Sequence, residues 1–348
     1  MTDISIDEIN VQEVAQLNKS PTEAKTTLSA GKSGGTSITT WMFLGLLSHS
    51  AWGGYPVLAR YLQNTHHIGT MSLATMTNTL ATLIMLALMA PRIKLGTVNL
   101  KEMALLIVIV VARGVTNLYA SRFTYATNVQ LLSLMAPFVV AYLSKTFFKE
   151  PLPKRTGIAL VLSLIGSVAM ISGAVGAAGG KATLLNWVGI GLASVSGILL
   201  AFYMIFIKDA GRRGVSAETL AFIQFASLAV CMGSGSLLVG EDWRPWLSLP
   251  FAGIAAYFAF ALGVLLLGTI VQNNALKHLG APTYSTIQAW RLLSTIAYSW
   301  LLLGEGISTL TQAAGTLLVM ATVTWYMILQ KRERDRAKSD AGMAPIGP

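Results

Sequence analysis

The strongest constraint on this chain is that its apolar segments fall into two halves which faintly repeat each other. Aligning Ala126 with Ala281 brings Glu150 onto Glu305, Ala120 onto Ala275, Ser144 onto Ser299 and Arg122 onto Lys277. A second alignment joins the starts of the halves, Trp41 to Ser48 (WMFLGLLS) with Trp187 to Ser194 (WVGIGLAS). Each half holds five apolar stretches. An odd number of crossings returns a chain to the opposite face, so the second half is expected to enter the membrane upside down. The expected fold is all-α and integral to the membrane, with ten transmembrane helices as a 5+5 inverted repeat. Bundles of this kind carry their binding sites near the midplane, where the halves meet.

The stretches run near 41–62, 70–90, 103–120, 127–148, 156–175, 187–207, 218–239, 251–275, 283–303 and 308–329. A helix needs about 20 apolar residues to cross a bilayer core. Charged residues are 11% of the chain and hydrophobic residues 53%, whereas a soluble domain carries about a quarter charged. A soluble globular fold is excluded. Strands of a membrane barrel would alternate apolar and polar residues over about 10 positions, and these runs are continuous. The organisation follows: a polar N-terminal tail over 1–40, read as disordered; a first repeat over 41–175; a Gly/Ala-rich link over 176–186; a second repeat over 187–329; and a basic tail over 330–348, read as mobile.

A net charge of +10 raises the question of nucleic acid. Its distribution answers it. With the N-terminus in the cytoplasm, nineteen of the 25 Lys and Arg residues fall in cytoplasmic segments, and only Arg60, Arg122, Lys181 and Arg244 fall outside. This is the positive-inside pattern of a multi-pass protein. It places both termini in the cytoplasm, with the plasma (inner) membrane as the expected location. The expected partners are the lipid bilayer and a small-molecule substrate, not nucleic acid. Cys231 is the sole cysteine, so neither an intrachain disulfide nor a thiolate metal cluster can form. The pair His66-His67 has no acid beside it; no metal and no cofactor are expected.

Three ionisable residues lie far from any loop: His49, Arg113 and Arg291. An arginine at a helix centre costs about 2.5–3.5 kcal/mol on insertion scales and needs a partner or a wet cavity. No Asp or Glu lies near any helix centre. Cations without buried carboxylates suggest that the counter-ion is the cargo, and guanidinium suits carboxylate or phosphate. The competing reading pairs both arginines with backbone carbonyls freed at helix breaks. Polar residues gather nearby, so Gln130, Gln288, Trp290, Tyr119 and Asn117 join Arg113 and Arg291 as candidate substrate-binding residues. His49 is read either as a proton relay or as a neutral histidine bonded to a neighbouring helix. The run Gly53-Gly54-Tyr55-Pro56 is read as a helix break or a kink, and Pro137 does the same in the fourth span. Small residues Ala159, Ser163 and Ser167 fit packing within the chain or, alternatively, a homodimer contact.

Leu131 to Gly157 (LLSLMAPFVVAYLSKTFFKEPLPKRTG) and Thr283 to Gly315 (TYSTIQAWRLLSTIAYSWLLLGEGISTLTQAAG) resemble EamA repeats. The shared pattern is a helix rich in small residues, a glutamate at its end and a glycine in the next helix. The resemblance, over about residues 41–329, is to the drug/metabolite transporter superfamily. It implies a central cavity lined by helices one, three, four, six, eight and nine, and alternating access between the two faces. One departure stands out: Leu292 occupies the position aligned with Pro137. The expected function is secondary transport or export of a small organic metabolite, anionic or zwitterionic, rather than catalysis. An integral-membrane enzyme or a sensor without flux are the alternatives.

Overall fold

The computed structural model describes residues 38–149, 153–177, 183–272, 274–275, 284 and 287–342. Among them the chain is helical, with no strand. In lipid no water satisfies backbone amides and carbonyls, so apolar runs this long fold as helices. The helices are α1 (Ile38–Arg60), α2 (Thr70–Met89), α3 (Leu100–Phe123), α4 (Ala126–Ser133), α5 (Ala136–Phe148), α6 (Thr156–Ala177), α7 (Leu184–Arg212), α8 (Ala217–Leu238), α9 (Phe251–Phe258), α10 (Trp290–Leu303) and α11 (Leu310–Gly342). A π-helical stretch, Ala259–Leu267, continues α9. Within the basic tail over 330–348 the chain is helical as far as Gly342, the end of α11, and the remainder of that tail lies outside the described residues; its Lys, Arg, Glu and Ala are good helix formers.

Among the described residues eight helical spans are long and apolar enough to cross a membrane. The two exceptions are α1 and α10. Polar and helix-weakening residues dilute α1 (Ser48, His49, Ser50, Gly53, Gly54, Pro56), and α10 is only 14 residues long. The expected count of ten crossings therefore rests on the two helices that carry the most chemistry.

Exchanging the halves maps the packing onto itself. The helix α1 lies against α10, and its counterpart α7 lies against α4 and α5. Likewise α3 packs on α7 while the π stretch after α9 packs on α1. The corresponding helices α2 and α8 pair with each other, as do α6 and α11. Both of these pairs run antiparallel. Glu241, just past α8, accepts the amide N–H groups of Met71 and Ser72 at the start of α2, at 3.1 and 2.6 Å. At the other end the amide of Lys94, past α2, donates to Thr219 Oγ1 in the first turn of α8, 2.9 Å. The seam of α6 and α11 closes on Gly166 and Gly315; a Cβ on Gly315 would lie 2.5 Å from the Gly166 carbonyl oxygen. The small-residue face of α6, with Ala159, Ser163 and Ser167 buried, is thus used inside the chain.

The fourth span is broken between Ser133 and Ala136, and α10 starts at Trp290. In the repeat alignment Met135 corresponds to Trp290, so both second segments begin within one residue of each other. Pro137 explains the first break, since proline donates no amide hydrogen and fits a first turn. The second has no proline. There the chain tightens into i→i+3 turns: Trp290 N–H to Ile287 O, Arg291 N–H to Gln288 O and Leu292 N–H to Ala289 O, each 3.1 Å. The far ends match as well. Lys149 (φ 53°) and Gly304 (φ 67°), aligned residues, both adopt the left-handed conformation, and their amides bond to the aligned Ser144 and Ser299 carbonyls.

By contrast α1 is continuous through Gly53-Gly54-Tyr55-Pro56. Gly53 serves a contact rather than a break: a Cβ there would sit 2.7 Å from the Arg291 carbonyl oxygen. Its absence lets α1 and α10 meet backbone to backbone.

Candidate functional site

The α1–α10 contact gathers the polar residues of both helices. His49 is 1% exposed. Its Nδ1 accepts the Nε–H of Arg291 at 3.0 Å. Guanidinium only donates, so Nδ1 carries no proton. The proton resides on Nε2, which donates to the Tyr284 carbonyl at 3.3 Å. Both imidazole nitrogens are occupied. The Tyr284 ring stacks on the imidazole with centroids 4.4 Å apart. Its hydroxyl meets Ser48 Oγ at 2.9 Å. Ser48 Oγ also donates to the Gly268 carbonyl, 3.2 Å, where the π stretch ends.

Arg291, the second residue of α10, lies over the Trp52 ring with 5.6 Å from guanidinium carbon to centroid. The Trp290 Nε1–H donates to Ser50 Oγ at 2.8 Å. Thr295 Oγ1 donates to the Gly53 and Arg291 carbonyls, both at 2.8 Å. Arg113 comes from α3 and faces the Tyr203 ring of α7 at 4.8 Å. It is close enough to Tyr55 and Arg291 to act on them electrostatically. Its Nε is buried and has no hydrogen-bond partner among the described residues, as is also true of Trp52 Nε1 and Asn117 Oδ1. Neither Arg113 nor Arg291 has a carboxylate partner there; the ion pairs among the described residues include Arg60–Glu305, Arg92–Glu218, Arg213–Glu102 and Arg213–Asp209.

The structure brings His49, Trp290 and Arg291 together, with Gln288 in the turn that opens α10 and Arg113 facing them from α3. Asn117, one turn beyond Arg113, donates its Nδ2–H to Ser196 Oγ at 3.1 Å. Gln130 is buried in α4, and its carbonyl accepts the Leu134 amide at the helix break. Tyr119 lies apart: its ring neighbours Phe123 at 5.7 Å, and its charged neighbours are Arg122 and Glu241 at the α3 end of the bundle. The sequence reading missed Ser48, Ser50, Trp52, Tyr203 and Thr295. Their residue types are ordinary for a membrane helix; only the i, i+4 spacing of Ser48 and Trp52 around His49 on α1 is a signal, and Tyr203 on α7 and Thr295 on α10 carry none.

Two clefts lie elsewhere. One of about 350 Å³ sits between the α2–α3 and α7–α8 loops at Arg92, Lys94, Ser216 and Glu218. The other, about 270 Å³, lies on the outer seam of α2 and α8. Neither touches the Arg113–Arg291 cluster, where the implied central cavity was expected.

A family model for EamA-like transporters matches residues 39–172 and again 187–328, once in each half. The chain belongs to the EamA-like transporter family. It is therefore a multi-pass membrane transporter of the drug/metabolite transporter superfamily. The matched segments divide the chain between α6 and α7. No curated protein sequence matches the chain. One solved protein crystal structure is similar to it with a TM-score of 0.56 and 13% identity, over 85% of this chain and 99% of that one. At that identity the likeness concerns the fold alone.

Proposed function

We propose that this EamA transporter is a secondary carrier for a small organic anion or zwitterion, bound between α1, α3, α7 and α10. Its two repeats cross the plasma membrane in opposite directions, five spans each, with both termini in the cytoplasm. The observation that carries the cargo class is that Arg113 and Arg291, both inside the bundle and within electrostatic reach of each other, have no carboxylate partner among the described residues. Like charges so placed repel, and an anion between them removes that cost. The helix geometry adds to it. Arg291 stands in the first turn of α10, where the positive end of the helix dipole disfavours a cation and favours an anion.

His49 occupies the Nε of Arg291 and so turns the terminal N–H groups away from itself. We assign it a positioning role, because neither of its nitrogens is open to exchange a proton in this conformation. As whole residues both arginines are half-buried while His49 is almost fully buried. Alternating access then follows from rocking one repeat against the other about this point.

The test uses purified protein in liposomes and in a thermal-shift screen of amino acids, organic acids and phosphate esters. A ligand that binds the native form raises the melting temperature with saturation. The expected hits carry a carboxylate or phosphate and drive counterflow. Arg291→Ala is expected to abolish both responses while eluting as the wild type does on size exclusion. Undiminished counterflow by correctly inserted Arg291→Ala would remove the arginine from the site.

A further inference from the structure

One ion pair stands apart from the others. Arg60, the last residue of α1, donates its Nε–H to Glu305 Oε1 at 2.6 Å, and the two side chains are only 17% and 15% exposed. Arg60 belongs to the first repeat and Glu305 to the second. The pairs that join the repeats at the opposite end, Arg92–Glu218 and Arg213–Glu102, are more open to solvent. Arg60 Nη1 also donates to the carbonyls of Ser121 (3.3 Å), Arg122 (3.1 Å) and Thr124 (2.7 Å). These acceptors close α3 and begin the link to α4, where a helix exposes unpaired carbonyls and welcomes a cation. The Tyr125 ring lies 5.7 Å from the guanidinium carbon. One side chain therefore gathers the end of α1, the α3–α4 link and the loop after α10.

The position relative to the cluster is telling. Arg60 follows His49 by eleven residues on α1, about 16 Å of helix. Glu305 follows Arg291 past the far end of α10. The pair therefore bridges the same two helices that hold the cluster, on the side where α1 ends. Its geometry is also incomplete. The second carboxylate oxygen of Glu305 is buried and makes no hydrogen bond among the described residues, so the contact falls short of a two-pronged arginine–carboxylate bridge. A permanent tie would use both oxygens; a contact that must part and re-form need not.

We propose that Arg60 and Glu305 form a latch which closes the Arg113–Arg291 cluster from the face where α1 ends, and which parts when the transporter opens to that face. The latch goes beyond the assignment of the cluster as cargo site, and its test needs no cargo. A reporter cysteine replaces Ser50 in a Cys231→Ser background. A charged, membrane-impermeant methanethiosulfonate is applied to sealed cells or inverted vesicles, so that each face is probed alone. Glu305→Gln is expected to raise the labelling rate at position 50 at least fivefold from the α1-end face and to leave the opposite face unchanged. Glu305→Asp, which keeps the charge on a shorter arm, is expected to give an intermediate rate and guards against misfolding of the first variant. The latch is overturned if Glu305→Gln labels at the parent rate from the α1-end face. It is equally overturned if labelling accelerates to the same degree from both faces, because that would report general loosening.

Discussion

At the scale of single residues, the contact between Arg291 and His49 decides how the cluster is built. The guanidinium Nε finds an acceptor 3.0 Å away, and the imidazole passes its own N–H to the Tyr284 carbonyl. Replacing the imidazole with an apolar side chain leaves a buried donor and a buried acceptor unpaired. Each such orphan costs about 1–3 kcal/mol. His49→Leu is therefore expected to lower the melting temperature of the purified protein and to weaken cargo binding. His49→Gln, whose amide can accept from Arg291 and donate to Tyr284, should recover much of both. Melting and counterflow of the two variants side by side check this, and a His49→Leu variant indistinguishable from wild type would end the positioning role. The sequence exposed His49, Arg113 and Arg291 because charge is rare in apolar runs. It hid Arg60–Glu305, because both residues sit at helix ends, where charge is common, and lie 245 positions apart.

At the scale of elements, the apolar runs were legible because their length in lipid leaves the backbone no alternative. The break in the fourth span was legible too, through Pro137. Its counterpart at α10 was not. Leu292 carries no backbone signal, and the break there rests on turns at residues 287–289 and on the close approach of α1 at Gly53. In α1 the Gly-Gly-Tyr-Pro run left a break and a kink open, and the continuous helix removes the break: a glycine needed for tertiary contact resembles a glycine that ends a helix. The matched caps at Lys149 and Gly304 give a test. Both are left-handed, a conformation that costs a residue with a Cβ about 1–2 kcal/mol. Lys149→Gly should therefore stabilise the protein and Gly304→Ala should destabilise it, each by about 1 kcal/mol. Thermal unfolding of the purified variants checks the signs. Equal and unchanged melting in both would mean that the caps carry no strain.

At the scale of the whole molecule, the two repeats constrain each other through pairs of equivalent helices that run in opposite directions. The start of α2 is held by Glu241 from the end of α8, and the end of α2 meets the start of α8 at Thr219. Two equivalent helices can lie antiparallel only if the second repeat is turned over relative to the first. In a bilayer that fixes which loops share a face. Thr65, after α1, and Ser248, after α8, must then lie on one side; Thr97, after α2, and Gly211, at the end of α7, must lie on the other. All four positions are exposed. Single cysteines there, in a Cys231→Ser background, are expected to react with an impermeant maleimide from opposite sides of intact cells, two by two. If α1 crosses, although its polar residues keep it outside the set of plainly apolar spans, Thr65 lies on the face opposite Ile38. If Thr65 and Thr97 labelled from the same face, α2 would not cross, and the pairing of α2 with α8 would no longer describe a protein folded across a membrane.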